Sequence, residues 1–297
     1  MRLPWDRNQT GALMMPQALE LVAGQVTNPG GATVALTMNA GNSATVRNAQ
    51  LSSVVGLVQT WANFHNIGLW RIRSPKLHDN VQGIRYRIPA ADVGPLVVPG
   101  LFQRLVPQDT LTLELNTAAG AGVIEQAAML LYYTDLPGNA ARLIGIPELE
   151  KRTNNMWTTE ISIAPGVAGG YSGQVAINSS FDNFKANTDY ALVGYTVDVR
   201  CTCVRFTSPD FSNLGIGGPG LVSGTAAIGG SRWVTQRWFY TLTEELGIPL
   251  IPVFNAANKF GTLVDVMQDN GGAAVVVTAY LHELAPAGST GFSTGLM

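Results

Sequence analysis

Few side chains in this sequence are suited to chemistry, and their spacing keeps them apart. The three histidines are His65, His78 and His282, and catalysis needs titratable groups that converge. His78 precedes Asp79 in a polar stretch and His282 precedes Glu283 at the end of an apolar run, so both pairs read as solvated ends. No His-x-His pair with a spaced Glu and a third His occurs, and a histidine metal site is not expected. Cys201 and Cys203 stand at i and i+2. In a strand both thiols would share a face, a disulfide between them would be strained, and two sulfurs with no second pair make a poor zinc site. They are expected as buried free thiols, which fits synthesis in a reducing compartment. Glu148/Glu150 and Glu244/Glu245 are only sequence neighbours, whereas a glycosidase holds two acids about 5–10 Å apart across a cleft. The glycine runs at 215–220 and 228–230 lack the Gly-Lys-Ser/Thr ending of a phosphate cradle, and no Gly-x-Ser-x-Gly elbow occurs. The Asn-Ser-Ser acceptor pattern at 178–180 comes without a secretion signal and is expected to be unused. Trp233, Arg237, Trp238, Phe239 and Tyr240 would make either a stacking platform for sugars or single-stranded nucleic acid, or a core or subunit interface. Interfaces enrich these residue types, and the second use is expected. The sequence therefore nominates no catalytic, cofactor-binding or metal-ligating residue, and no cofactor.

With no chemistry to follow, composition and organisation carry the functional reading. Charged residues are 13% of the 297, against about 25% in an ordinary soluble domain, while 46% are hydrophobic and the mean hydropathy is +0.16. So few charges protect a monomer poorly against association, which implies a subunit covered by its neighbours. The basic residues are 14 Arg and 4 Lys, and Arg is favoured where two hydrogen bonds are made at once in an interface. A net charge of −2 with no basic run makes specific nucleic-acid binding an unlooked-for function. Residues 21–46 and 211–231 are free of charge, but Thr, Asn and Gly in one and seven Gly in the other leave neither apolar enough to insert in a membrane. Asp6 and Arg7 stand where the apolar core of a signal peptide would begin.

Most periodic segments alternate with period two, as half-buried strands do. Examples are 68–74 (GLWRIRS), 83–89 (GIRYRIP), 110–116 (TLTLELN), 195–207 (YTVDVRCTCVRFT) and 262–268 (TLVDVMQ). The continuous apolar runs 127–133 (AAMLLYY) and 273–281 (AAVVVTAYL) read as central strands covered on both faces. The chain is expected to be all-β with few short helices. One helix is suggested by apolar residues at 51, 54, 55, 58 and 61 behind Asn48. Residues 232–247 would end in a helical turn closed by Gly247, or form a strand.

Five landmarks then occur twice in the same order. Ser74-Pro75, GPLVVPGLF (94–102), TLTLELN, a small-residue loop and AAMLLYYTDLPG (127–138) are followed by Ser208-Pro209, IPLIPVF (248–254), TLVDVMQ, DNGG and VVVTAYLHELAPAG (275–288). This order reads as an internal duplication with a glycine-rich insertion near 211–231 in the second copy. The implied organisation is an N-terminal arm at 1–16, a first β-barrel at 17–145, a charged linker at 146–155, a second β-barrel at 156–286 and a C-terminal tail at 287–297.

On those paired landmarks the chain resembles a double jelly-roll major capsid protein of tailless icosahedral viruses, bacteriophage or related. The resemblance implies two tandem jelly-roll β-barrels, a homotrimer of pseudo-hexameric outline and an icosahedral capsid shell tiled by such capsomers. It further implies a virion location after assembly in the host cytoplasm, contacts with minor capsid, penton or membrane proteins, and a structural protein that is not an enzyme. A viral spike or a carbohydrate-binding β-sandwich protein is the alternative.

Overall fold

The computed structural model describes residues 18–27, 33–35, 37–38, 44–45, 55–62, 67–76, 81, 83–87, 103–106, 108–117, 122, 124–133, 141–199, 201–220, 235–268 and 272–291. The arm at 1–16, His65, His78 and Trp233 lie outside them. Among the described residues the chain is predominantly β, as the period-two alternation demands.

The first half of the chain builds two sheets. One has the order β3 (Thr37–Met38), β1 (Ala18–Thr27), β10 (Ile124–Tyr133), β5 (Val55–Ala62), β8 (Gln103–Leu105). The other runs β2 (Thr33–Ala35), β9 (Thr110–Thr117), β6 (Ile67–Arg73), β7 (Ile84–Arg87), with β4 (Ala44–Thr45) also paired to β9. The second half repeats the plan. Its sheets are β11 (Leu143–Ile144), β17 (Ile251–Asn255), β14 (Asp189–Val197), β19 (Val275–Leu284), β12 (Thr153–Ile163), and β13 (Val175–Ala176), β18 (Leu263–Gln268), β15 (Cys201–Thr207), β16 (Gly215–Pro219). With β3, β4 and β11 set aside, the described residues of each half form eight strands in the orders 1-8-3-6 and 2-7-4-5.

The likeness extends to the register. β6 and β15 each skip one residue against their partner, Gly68 between Ile67 and Leu69, and Thr202 between Cys201 and Cys203. Both skips lie at one offset, 202 − 68 = 134, which also takes Arg71 to Arg205 and Ser74-Pro75 to Ser208-Pro209. β5 and β14 each carry a bulged valine, Val58 against β10 and Val193 against β19. That anchor sets Leu130 of β10 equivalent to Tyr280 of β19, an offset of 280 − 130 = 150. Through the next pairing, Leu21 of β1 matches Thr158 of β12. Bulges re-aim strands and leave their partners one residue out of step, so matching bulges in two strand pairs mark one structural unit used twice.

The paired landmarks therefore fall on equivalent strands: Ser-Pro closes β6 and β15, TLTLELN and TLVDVMQ form β9 and β18, and the last apolar runs form β10 and β19. The stretch 94–102 lies outside the described residues. Four local expectations are corrected. Where a helix was expected over 48–64, residues 55–62 form β5; three valines and Gly56 oppose a helix, and β10 offers a ladder. The run 195–207 is two strands, because Asp198 turns the chain: its backbone N–H donates to the Val276 carbonyl and its Oδ1 accepts from the Val276 N–H at 2.7 Å. The insertion 211–231 begins as strand β16 in register with β15. Glycine is required there because a Cβ on Gly217 would lie 1.9 Å from the Val204 carbonyl oxygen. Finally, β10 is buried on both faces but β19 alternates buried and half-buried residues.

The charged segment 146–155 is a helix, α1 (Ile146–Arg152), running directly into β12. Arg152 is only 4% exposed and is fully engaged: Nε donates to the Ala285 carbonyl, Nη1 meets Glu148 at 2.7 Å and Nη2 meets Asp189 at 3.3 Å. Arg142 adds a second guanidinium to Asp189 at 2.5 Å. At the end of the chain, the Gly291 N–H donates to the Lys151 carbonyl, so residues 287–291 lie beside this helix. Of the two readings of 232–247, a closing helical turn or a strand, the structure has a helix, α2 (Trp238–Leu246), ended by Gly247 at φ 67°, a left-handed cap that glycine adopts without strain.

Candidate functional site

The described side chains that could do chemistry are held apart or engaged in structure. Cys201 and Cys203 are free and buried. The bulge at Thr202 breaks the alternation that would have put the thiols on one face with Thr202 opposite, and all three residues are buried. Burial pushes the Cys203 thiol up to about 12, and Tyr171 lies 3.5 Å from its sulfur. His282 Nδ1 is 3.0 Å from the Thr153 hydroxyl, and burial lowers its basicity so that the ring is neutral near pH 7. Trp238 and Phe239 belong to the core; Trp238 Nε1 donates to the Gly217 carbonyl at 3.0 Å. Arg237 alone of the aromatic group's charges stays at the surface, stacked 4.3 Å over Tyr240. Glu148 serves Arg152, Glu244 and Glu245 are exposed neighbours on α2, and Asn178 of the acceptor pattern is buried. Among the described residues no group of three His, Cys, Asp or Glu side chains could hold a metal ion.

What the fold does present is a pair of sheet faces. Within the chain, β1 packs on β16, and β10 packs on β15 and β16. Gln126 marks this junction: the Thr202 hydroxyl donates to its Oε1, and its Nε2 donates to the Gln268 carbonyl at 2.9 Å. Gln25, its cross-strand partner, fills the space beside Gly169. Leu21, Ala23, Ala128 and Leu130 continue the same face of β1 and β10, and all are at most 5% exposed. Covering them is the outer face of the β15 sheet, where Arg205 grips Asp265 with two bonds of 2.9 and 2.6 Å and stacks 3.7 Å over Tyr171.

Among the described residues the equivalent face of the second half is not covered. Thr158, Glu160, Thr278 and Tyr280 take the places of Leu21, Ala23, Ala128 and Leu130; the two on β12 are exposed and the two on β19 half-buried. The segment entering α2 covers only part of the sheet, since the Thr235 and Gln236 carbonyls close over Gly194 of β14. Between α2 and β12 runs a groove of about 1100 Å³ lined by Met156, Tyr240, Tyr280 and His282. Met156 is 67% exposed. On the first half's second sheet Arg71 and Arg73 are half-buried and share the buried Glu114, as Arg205 holds Asp265.

Sequence reasoning missed these faces because it treated the runs in β10 and β19 as alike. The signal that separates them is composition: Ala127–Leu131 holds nothing polar, whereas Thr278 and His282 interrupt β19.

No family model matches the chain, and no curated protein matches it. Among solved structures, the major capsid protein P2 from bacteriophage PM2 aligns with 91% of this chain and 99% of its own, at 7% identity and a TM-score of 0.20.

Proposed function

We propose that the chain is a structural virion protein, the major capsid subunit of a tailless icosahedral virus. In this reading each half is a jelly-roll barrel, eight strands in two Greek keys, at 17–145 and 156–286, with 146–155 between them and arms at 1–16 and 287–297. Three chains form a pseudo-hexameric homotrimer, and such trimers tile a shell in the virion after assembly in the host cytoplasm. Minor capsid, penton or membrane proteins are its other partners, and it carries out no catalysis and no specific nucleic-acid recognition.

The observation that carries this reading is the repeated unit with one sheet face buried inside the chain and its counterpart left open. A chain with one such face satisfied and one unsatisfied is suited to repeat the contact with copies of itself. A charge fraction of 13% supports a surface meant to be covered.

The test is the mass of the purified native protein by light scattering, with electron microscopy of the same sample. A mass near three chains with six-lobed particles, or closed shells, is expected. A 31.5 kDa monomer at every concentration, retained on a glycan array, would transfer the assignment to the carbohydrate-binding alternative.

A further inference from the structure

We infer that the groove between α2 and β12 is a binding site for a neutral oligosaccharide, a function separate from the proposed assembly role.

The duplication supplies the first observation. By the shared register Met156, Thr158 and Tyr280 stand where the first half has Leu19, Leu21 and Leu130, and those three leucines are at most 5% exposed. Two buried aliphatic positions have become hydroxyl-bearing ones, exposed at Thr158 and half-buried at Tyr280. Such a change suits a hydrated partner better than a packed sheet. Glu160 and Thr278, further along the same strands, do not line the groove, so the site leaves them to other contacts.

The second observation is a set of polar groups that converge on the groove without a protein partner. Among the described residues the side chains of Gln236, Tyr240 and Tyr280 make no hydrogen bond, and Glu150 makes no ion pair. Arg237 is engaged only in its stack over the Tyr240 ring. His282 offers an acceptor. The Thr153 hydroxyl gives its proton to the Leu149 carbonyl at 2.7 Å, so its oxygen accepts from Nδ1–H of the neutral His282 ring, and Nε2 keeps its lone pair.

These groups match a sugar. The C–H face of a pyranose carries partial positive charge and seats on the negative face of an aromatic ring, which Tyr240 and Tyr280 provide, while its hydroxyls both donate and accept. Charge excludes the other ligand of a stacking platform. Arg237 and Glu150 cancel and His282 is neutral, whereas a nucleic-acid strand needs cations for its phosphates. The volume of about 1100 Å³ lies above the usual span of about 300–1,000 Å³ for small-ligand pockets, which gives room for more than one sugar ring.

The experiment places the full native chain on an array of neutral and anionic glycans and then titrates it with the neutral oligosaccharide retained best. Tyr240→Ala and Tyr280→Ala are each expected to weaken binding by about tenfold or more through loss of a stacking face. Gln236→Ala removes no ring and is expected to weaken it about fivefold, the worth of one neutral hydrogen bond; it carries the test where circular dichroism shows that a tyrosine variant has not folded. Phe260→Ala, at an aromatic residue 69% exposed and outside the groove, should leave binding unchanged. A protein of multichain mass that retains no neutral glycan, or that binds one with the same affinity in all these variants, overturns the site and leaves the assembly role standing. Retention by a single chain that never associates, lost in the tyrosine variants, upholds the site and overturns the assembly role.

Discussion

Ser74 and Ser208 end equivalent strands and make equivalent bonds. The Ser74 hydroxyl donates to Asp109 just ahead of β9, and the Ser208 hydroxyl lies 3.0 Å from that of Thr262 just ahead of β18. All four residues are at most 2% exposed. Each bond ties the turn after one strand to the start of its neighbour, and the proline that follows each serine keeps the chain from extending the strand.

Removing either hydroxyl takes a bond from a buried partner, although Thr262 still donates to the Asn258 carbonyl at 3.0 Å. Ser208→Ala is expected to cost about 1–2 kcal/mol, and Ser74→Ala about 2–3 kcal/mol because the partner is a carboxyl group. Urea titrations of the two variants check the order; equal midpoints with the unmodified protein would show the bonds to be idle.

The thiols give a second prediction. With its pKa near 12, Cys203 has almost no thiolate at pH 8, and thiolate is the reactive form. A disulfide-exchange reagent should find no reactive thiol in the native protein and two per chain in denaturant, read by absorbance.

Acid stability should depend on Asp189. Burial works to raise its pKa, but the Arg142 and Asn255 hydrogen bonds and the Arg142 and Arg152 charges outweigh it, so the folded value lies below 3.8. A depressed carboxylate contributes stability that is complete above the unfolded value and is lost as pH falls through the folded one. Asp189→Asn is therefore expected to melt earlier at pH 7, with the gap to the unmodified protein narrowing between pH 4 and pH 2. A gap independent of pH would exclude the charge as its cause.

Gly218 is a packing constraint. A Cβ there would lie 2.3 Å from Trp238 Nε1 and 2.5 Å from the Tyr195 hydroxyl, both in the core. Gly218→Ala should cost about 1–3 kcal/mol through overpacking and shift Trp238 fluorescence. An unchanged spectrum and melting curve would mean that β16 moves aside freely.

Much of the second half was legible from its residues, because alternation, Ser-Pro and the Gly247 cap are local signals. The strand at 55–62 was not, since apolar residues at 51, 54, 55, 58 and 61 fit a helix and the competing ladder to β10 is 65 to 78 residues away in sequence, from 127 − 62 and 133 − 55. Bulges at Val58 and Val193 leave no mark in composition. The open face of β12 and β19 was hidden for another reason: a half-buried strand and one covered by a distant sheet both read as apolar until the pairing order is known. Residues 146–155 read as a charged linker, because sequence does not say that Arg152 is enclosed by the ends of β14 and β19.

The junction at Gln126 and Thr202 also joins segments that are made at different times. Residues 18–133 leave the ribosome first, and once β1 and β10 pair, Leu21 and Leu130 stand side by side, while the strands that shelter them, β15 and β16, end only at Pro219. For that interval the nascent chain shows an apolar sheet face of the kind through which unfinished neighbours aggregate. Tethering supplies the shelter at high local concentration as soon as it is made, so the later half acts as the private chaperone of the earlier one.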